Sequence, residues 1–187
     1  MKICDILIMV IVMLMISMID MDKRAFHGHA HKMLRECLHK KGIEYSDDTP
    51  IVKGKLGKPS LKEHSDVHYN ISHADGIAAC IVSERECGID CENVRDLRPN
   101  VMKRAFSVKE REMVENAPES EKNLLFFRLW TLKEAYVKAL GIGISYPMDT
   151  AEFSFDGNNI ITDIENCSFR QYILKGGKYV VSICEME

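Results

Sequence analysis

No C-x-x-C pair occurs among the seven cysteines of this 187-residue chain, so the commonest cysteine spacing for a zinc site is missing. The cysteines are odd in number and several lie in apolar, strand-like runs, which reads as reduced, mostly buried thiols in a cytoplasmic protein. A large charge excess is also missing. A formal charge of -3 and a pI near 6.2 give no general attraction to nucleic acid or to an anionic membrane, so any phosphate contact must be local. There is no low-complexity linker and no obvious repeat. No apolar run reaches the roughly 20 residues that a bilayer-spanning helix needs. The longest, Ile6 to Ile19, has Asp5 at its approach and no small-x-small cleavage pattern after it. It reads as a buried strand or helix of an N-terminal core rather than a signal or anchor. What remains is the 46% apolar content of a globular protein, long enough for one substantial domain or two small, closely packed ones.

Ala30, Met33, Leu34, Cys37 and Leu38 recur at helical spacing and the pattern stops at Lys40, Lys41 and Gly42, which predicts an amphipathic helix with a basic face. The segment "SDDTPIVKGKLGKPSLKEHSD" is rich in turn formers and reads as an ordered loop. "VHYNIS", "GIAACIVS" and "CGIDCE" are strand-length segments with short connections, which suggests an antiparallel meander. Helical periodicity begins near Val101, after Pro99, and "SVKERE" reads as an N-cap followed by another helix. "EKNLLFFRLWTLKEAYVKALG" is the strongest helical pattern, ending at Gly141. From Thr150 onward strands and turns return. Helix followed by strands thus occurs twice, which permits two packed halves.

The chemistry gathers around "CGIDCE". Side chains alternate faces along a strand, so Cys87, Ile89 and Cys91 share one face, while Asp90 and Glu92 share the other, about 7 Å apart. Like charges so placed raise each other's pKa unless a cation lies between them, which points to a hard divalent metal. The plain alternative is two acids marking a strand's exit into solvent. In "WTLKEAYVKAL", Trp130, Glu134 and Lys138 recur every four residues on one face, and Glu134 lies among Leu129, Leu132, Ala135 and Val137. Either Glu134 and Lys138 form an i to i+4 salt bridge, or Glu134 completes a three-carboxylate metal site while Lys138 faces an anionic substrate. Magnesium keeps water and uses substrate phosphates alongside one or two protein carboxylates, so the second arrangement suits phosphoryl chemistry.

The motifs "GKP" (57–59), "NISHADG" (70–76), "GIDCE" (88–92), "FSVKE" (106–110) and "WTLKEAYVKALGIGI" (130–144) follow in order. In order and spacing they resemble the 4'-phosphopantetheinyl transferases of the surfactin-synthetase-activating type, the two-halved monomeric class rather than the shorter trimeric holo-acyl-carrier-protein synthases. The resemblance implies transfer of the phosphopantetheine arm of coenzyme A to a serine of an apo acyl or peptidyl carrier protein, with release of 3',5'-ADP. By motif matching, Asp90, Glu92 and Glu134 would hold Mg2+, with Mn2+ as the alternative ion, against the pyrophosphate of coenzyme A. Lys138 would bind that phosphate. Ser72 and His73 would contact the 3'-phosphate region, and Lys58 would be a further coenzyme A contact. Glu134 or a metal-bound water would take the serine proton, with Glu110 as a second candidate that alternatively binds water or metal. Trp130 reads as packing, and Lys133 as either a phosphate ligand or a solvated charge.

Family members carry a polar N-terminal helix with basic residues, whereas Ile6 to Ile19 is almost wholly apolar here. Lys32 is the matching basic contact, with Lys23 and Arg24 as substitutes. In "HGHAH", only His27 and His31 share a helical face, so His27, His29 and His31, with His39 beyond, make a weak transition-metal motif. The expected fold is α+β, two similar halves, each a helix on a small, mostly antiparallel sheet. Residues 1–95 would carry the nucleotide contacts and Asp90 and Glu92, residues 96–187 would carry Glu134 and Lys138, and the active site would lie between them. The protein would act as a monomer, with no nucleic-acid or membrane partner. Two rival readings use the same residues: a metal-dependent pyrophosphate hydrolase, and a carrier-binding module without turnover.

Overall fold

The computed structural model describes residues 12–19, 25–143 and 146–187. Lys23 and Arg24, and the apolar run before residue 12, lie outside the described residues. The elements run β1 (Met13–Met18), α1 (Ala25–Lys40), β2 (Ile51–Lys53), β3 (Pro59–Leu61), β4 (His68–Ala74), β5 (Ile77–Ser83), β6 (Cys87–Asn93), α2 (Pro99–Ala105), α3 (Val108–Asn116) and α4 (Glu119–Leu140). A 3-10 turn at Met148–Thr150 leads to β7 (Phe153–Asp156), β8 (Asn159–Thr162), β9 (Cys167–Leu174) and β10 (Tyr179–Met186). Two three-stranded antiparallel sheets, ordered β1-β5-β4 and β6-β10-β9, form the frame. Helix α1 covers the first and α4 the second, an α+β architecture of two helix-on-sheet units. Among the described residues no helix is long and apolar enough to cross a membrane.

Alternation along the strands decides what faces what. Ala78, Cys80 and Val82 of β5 turn toward Phe26, Leu34 and Leu38 of α1. Ile77, Ala79 and Ile81 turn the other way, onto Cys87, Ile89 and Cys91 of β6 and onto Val181 and Ile183 of β10. Buried on both faces, β5 has no place for a polar residue before Ser83. The sheets therefore pack face to face, and the other side of β6, carrying Gly88 and Asp90, lies against α4. Gly88 is required there: a Cβ at that position would stand 2.1 Å from the carbonyl oxygen of Ala135, so only glycine lets the helix seat on the strand.

Helix α4 stops where Gly141 takes a left-handed φ of 68°. At α3, Ser107 accepts a hydrogen bond from the backbone N–H of Glu110 while the Glu110 carboxylate accepts from the N–H of Ser107, a full capping box.

Two expectations change. The meander ends at β5, because β6 pairs with β10 across the whole register from Cys87–Glu185 to Asn93–Tyr179. Asp90 and Glu92, which the 1–95 boundary assigns to the first half, thus stand on a strand of the second sheet. The segment expected to be a loop forms the hairpin β2–β3, with "GKLGK" as its turn; each strand is only three residues, too short to show a period.

Candidate active site

Strand β6 is an edge of its sheet, so its outer N–H and C=O groups need partners from elsewhere. Strand β4 supplies them through side chains. The Asn70 carbonyl oxygen accepts from the Ile89 N–H at 2.9 Å, and the Ser72 hydroxyl accepts from the Cys91 N–H at 3.2 Å. Lys138, reaching down from α4, donates to the Ile89 carbonyl at 3.2 Å. These bonds tie β4, β6 and α4 together at one place.

Asp90 is at the centre. Its Oδ1 accepts from Ser72 Oγ at 2.9 Å and from Lys138 Nζ at 2.6 Å. Its Oδ2 is buried and has no hydrogen-bond partner. An anionic oxygen withdrawn from water without a donor is costly, and a bound cation is the standard remedy. Lys138 thus pairs with Asp90 rather than with Glu134, one of the two arrangements that the helical spacing allowed. Burial alone would favour its neutral amine, but Asp90 and Glu134 outweigh burial and hold its pKa above the usual lysine value.

The other acids feel Asp90 directly. Burial and the Asp90 charge, only partly offset by Lys138, push Glu134 up to about 7. Glu92 is also raised, by burial and then by Asp90, against the pull of Arg95. Glu134 opens on a cavity of about 250 Å3 bordered by Leu56, Asn70 and Lys138, and Glu92 on one of about 640 Å3 bordered by Phe26, His73 and Arg95. Among the described residues, no three His, Cys, Asp or Glu side chains already converge as a metal cage. Glu92 is turned instead onto Arg95 and Arg98, at 2.9 and 3.6 Å. The donor set nonetheless suits a hard cation: three oxygen acids electrostatically coupled, one carrying a buried oxygen with no donor.

The remaining candidates divide. Ser72 is buried on Asp90, so its hydroxyl orients the acid. His73, exposed, lies with its ring 6.1 Å from that of His27, which is 4.6 Å from His31. Burial, His27 and Lys138 lower the pKa of His73, while burial and His27 lower that of His31. His29 instead bonds Ser17 and His39 pairs with Glu44. Lys32 is exposed on α1. Trp130 is half-buried in the second core, and its indole N–H exerts a small downward pull on the pKa of Glu92.

Three expected roles are corrected. Lys58 donates to Glu86 and to the carbonyls of Cys87 and Ala139, at 2.7 Å in the last case, so its ammonium caps α4 and has no donor left for a ligand. Glu110 is wholly buried: its oxygens accept from Ser107 N–H, Phe153 N–H and Lys133, which removes it from the cleft as a base or metal ligand. Lys133 is equally buried and is neither a surface charge nor a phosphate ligand.

Two helix-covered sheets bring coupled acids and a charged lysine together at their junction, in an α+β architecture. A model described as the 4'-phosphopantetheinyl transferase superfamily matches residues 86–184, just over half of the chain, and the chain belongs to that superfamily. It is 33% identical over 112 residues to 4'-phosphopantetheinyl transferase gsp of Aneurinibacillus migulanus, covering 60% of this chain and 46% of that protein. It is 42% identical over 96 residues to 4'-phosphopantetheinyl transferase HetI of Nostoc sp., covering 48% and 40%. The chain thus spans less than half the length of these relatives. A holo-(acyl-carrier-protein) synthase structure from Bacillus anthracis overlaps 55% of this chain and 95% of its own at 22% identity, with a TM-score of 0.45, too loose a likeness to argue from.

Proposed function

We propose that this protein transfers the 4'-phosphopantetheine group of coenzyme A to a serine of an apo acyl or peptidyl carrier protein, releasing 3',5'-ADP, as a cytoplasmic monomer. The observation that carries the reading is Asp90, whose buried Oδ2 has no donor while Oδ1 is fixed by Ser72 and Lys138, in a member of this superfamily. Asp90, Glu92 and Glu134 would hold Mg2+ or Mn2+, and such an ion supplies neutralisation of the diphosphate's charge.

The chain's own groups supply the rest. Lys138, kept charged by Asp90 and Glu134 and held by Asp90, Ser72 and the Ile89 carbonyl, would act on the transferring phosphate as a fixed nearby positive charge. The serine oxygen forms a bond to the pantetheine-side phosphorus as the bond to the 3',5'-ADP oxygen breaks, and the serine proton passes to Glu134 or to water held beside it. His73, beside Glu92 and Arg95, borders the larger cavity, where a phosphorylated ribose can sit.

The test is to incubate the purified chain with coenzyme A, Mg2+ and an apo carrier protein and to weigh the carrier by mass spectrometry. A carrier heavier by one phosphopantetheine is expected, with 3',5'-ADP in equal amount. An unmodified carrier contradicts the reading; nucleotide product without a modified carrier indicates hydrolysis instead.

A further inference from the structure

Glu92 already holds a cation. Its carboxylate, 15% exposed, pairs with Arg95 Nη1 at 2.9 Å and with Arg98 Nη2 at 3.6 Å. Arg95 is itself held: Nη1 also donates to the Asn93 carbonyl at 2.8 Å, and the guanidinium stands 5.1 Å above the ring of the fully buried Phe127. Arg98 stands 5.9 Å from the same ring. Arg95 also borders the cavity of about 640 Å3 that it shares with Glu92 and His73. It therefore touches both an acid proposed for the metal and the space proposed for an anionic substrate.

We propose that Arg95 is a positioning residue that serves as an internal counter-cation, holding Glu92 in place when no divalent ion is bound and competing with that ion for its carboxylate. With Glu92 engaged by a divalent ion, the Arg95 guanidinium would lose its partner and would be free to turn toward phosphate in the same cavity. Arg98, at the longer distance, competes less. The inference rests on the reading of Glu92 as a metal acid, and its test separates the two.

Trp130 is the only tryptophan and its indole N–H is near enough to Glu92 to pull that carboxyl's pKa down, so its emission reports ion binding there without coenzyme A or carrier. Mn2+ is titrated into the full chain, with calorimetry as a second readout. R95Q is expected to bind Mn2+ about fivefold more tightly than the unmodified chain, the scale of losing one partly exposed ion pair, and R98Q less than twofold more tightly. A merely structural arginine would give the opposite, because loosening the site weakens binding. R95Q is also expected to raise KM for coenzyme A with a smaller change in kcat. Should R95Q fail to fold, R95M carries the test, since it removes the charge and keeps an unbranched side chain: tighter Mn2+ binding supports the counter-cation. Binding by R95Q or R95M no tighter than by the unmodified chain, with a response still abolished by E92Q, overturns the counter-cation alone. No E92Q-sensitive response in the unmodified chain overturns the metal role of Glu92 and the counter-cation with it.

Discussion

Helix α4 carries two lysine–carboxylate pairs within two turns of each other, one fully and one partly buried, and they differ in what is left over. Lys133 meets Glu110 at 2.7 Å, and both side chains are fully buried. The Lys133 ammonium also donates to the carbonyls of Met148 and Ala151, and the Glu110 oxygens also accept from two backbone N–H groups. Every group of that pair has a partner. Lys138 meets Asp90 at 2.6 Å, yet Asp90 Oδ2 has none, and Lys138 and Glu134 border an open cavity. The closed pair fastens α3, α4 and β7 to one another; the open one leaves a carboxylate oxygen without a donor. Sequence type alone does not separate them, since each is an acid and a lysine on helix or strand.

The contrast can be broken most forcibly at the closed pair. K133M leaves the Glu110 charge buried without a counter-ion and should cost about 3–5 kcal/mol of stability, measured by urea denaturation. Any activity lost should return in proportion to the fraction folded. D90N does the reverse: carrier modification should fall by about 100- to 1000-fold, the scale of removing one electrostatic element from a phosphoryl-transfer site, while the urea midpoint moves far less than in K133M. Equal losses of stability in the two variants would erase the distinction between the pairs.

The smallest effect concerns Glu134. Its carboxyl is raised from 4.5 to about 7 in the folded chain, so between those values the folded chain keeps a proton that the unfolded chain has released. This contribution to stability is fully present below pH 4.5 and is lost as pH rises through about 7. E134Q removes the loss and should be more stable than the unmodified chain by roughly 1–2 kcal/mol at pH 8, allowing for partial exposure, with near equality at pH 4.5. Thermal melts across that range check the sign.

Much of this was legible in the order of residues, where a short-range rule applies. Alternation in "CGIDCE" puts Asp90 on the face opposite Ile89, and that face meets α4. Gly141 ends α4 and Ser107 opens α3 by local backbone chemistry. What could not be read depends on long-range partners. Strand β6 carries no mark that β10, far along the chain, rather than β5 is its neighbour. Glu110 reads as a site acid until Lys133 and Phe153 are seen to enclose it, although its place three residues after Ser107 was a capping signal. The grip of Arg95 on Glu92 and the approach of His73 to His27 arise where separate elements meet. A carboxylate-plus-three spacing in "ENVR" is the one local hint of the first.

Anomalous diffraction from crystals grown with MnCl2 addresses the open pair at its origin. A manganese peak at coordinating distance from Asp90 Oδ2, with Arg95 swung off Glu92, is the expected result. A map with no peak there, and that oxygen satisfied by a water or a shifted protein donor, would mean that the buried charge belongs to the fold and not to catalysis.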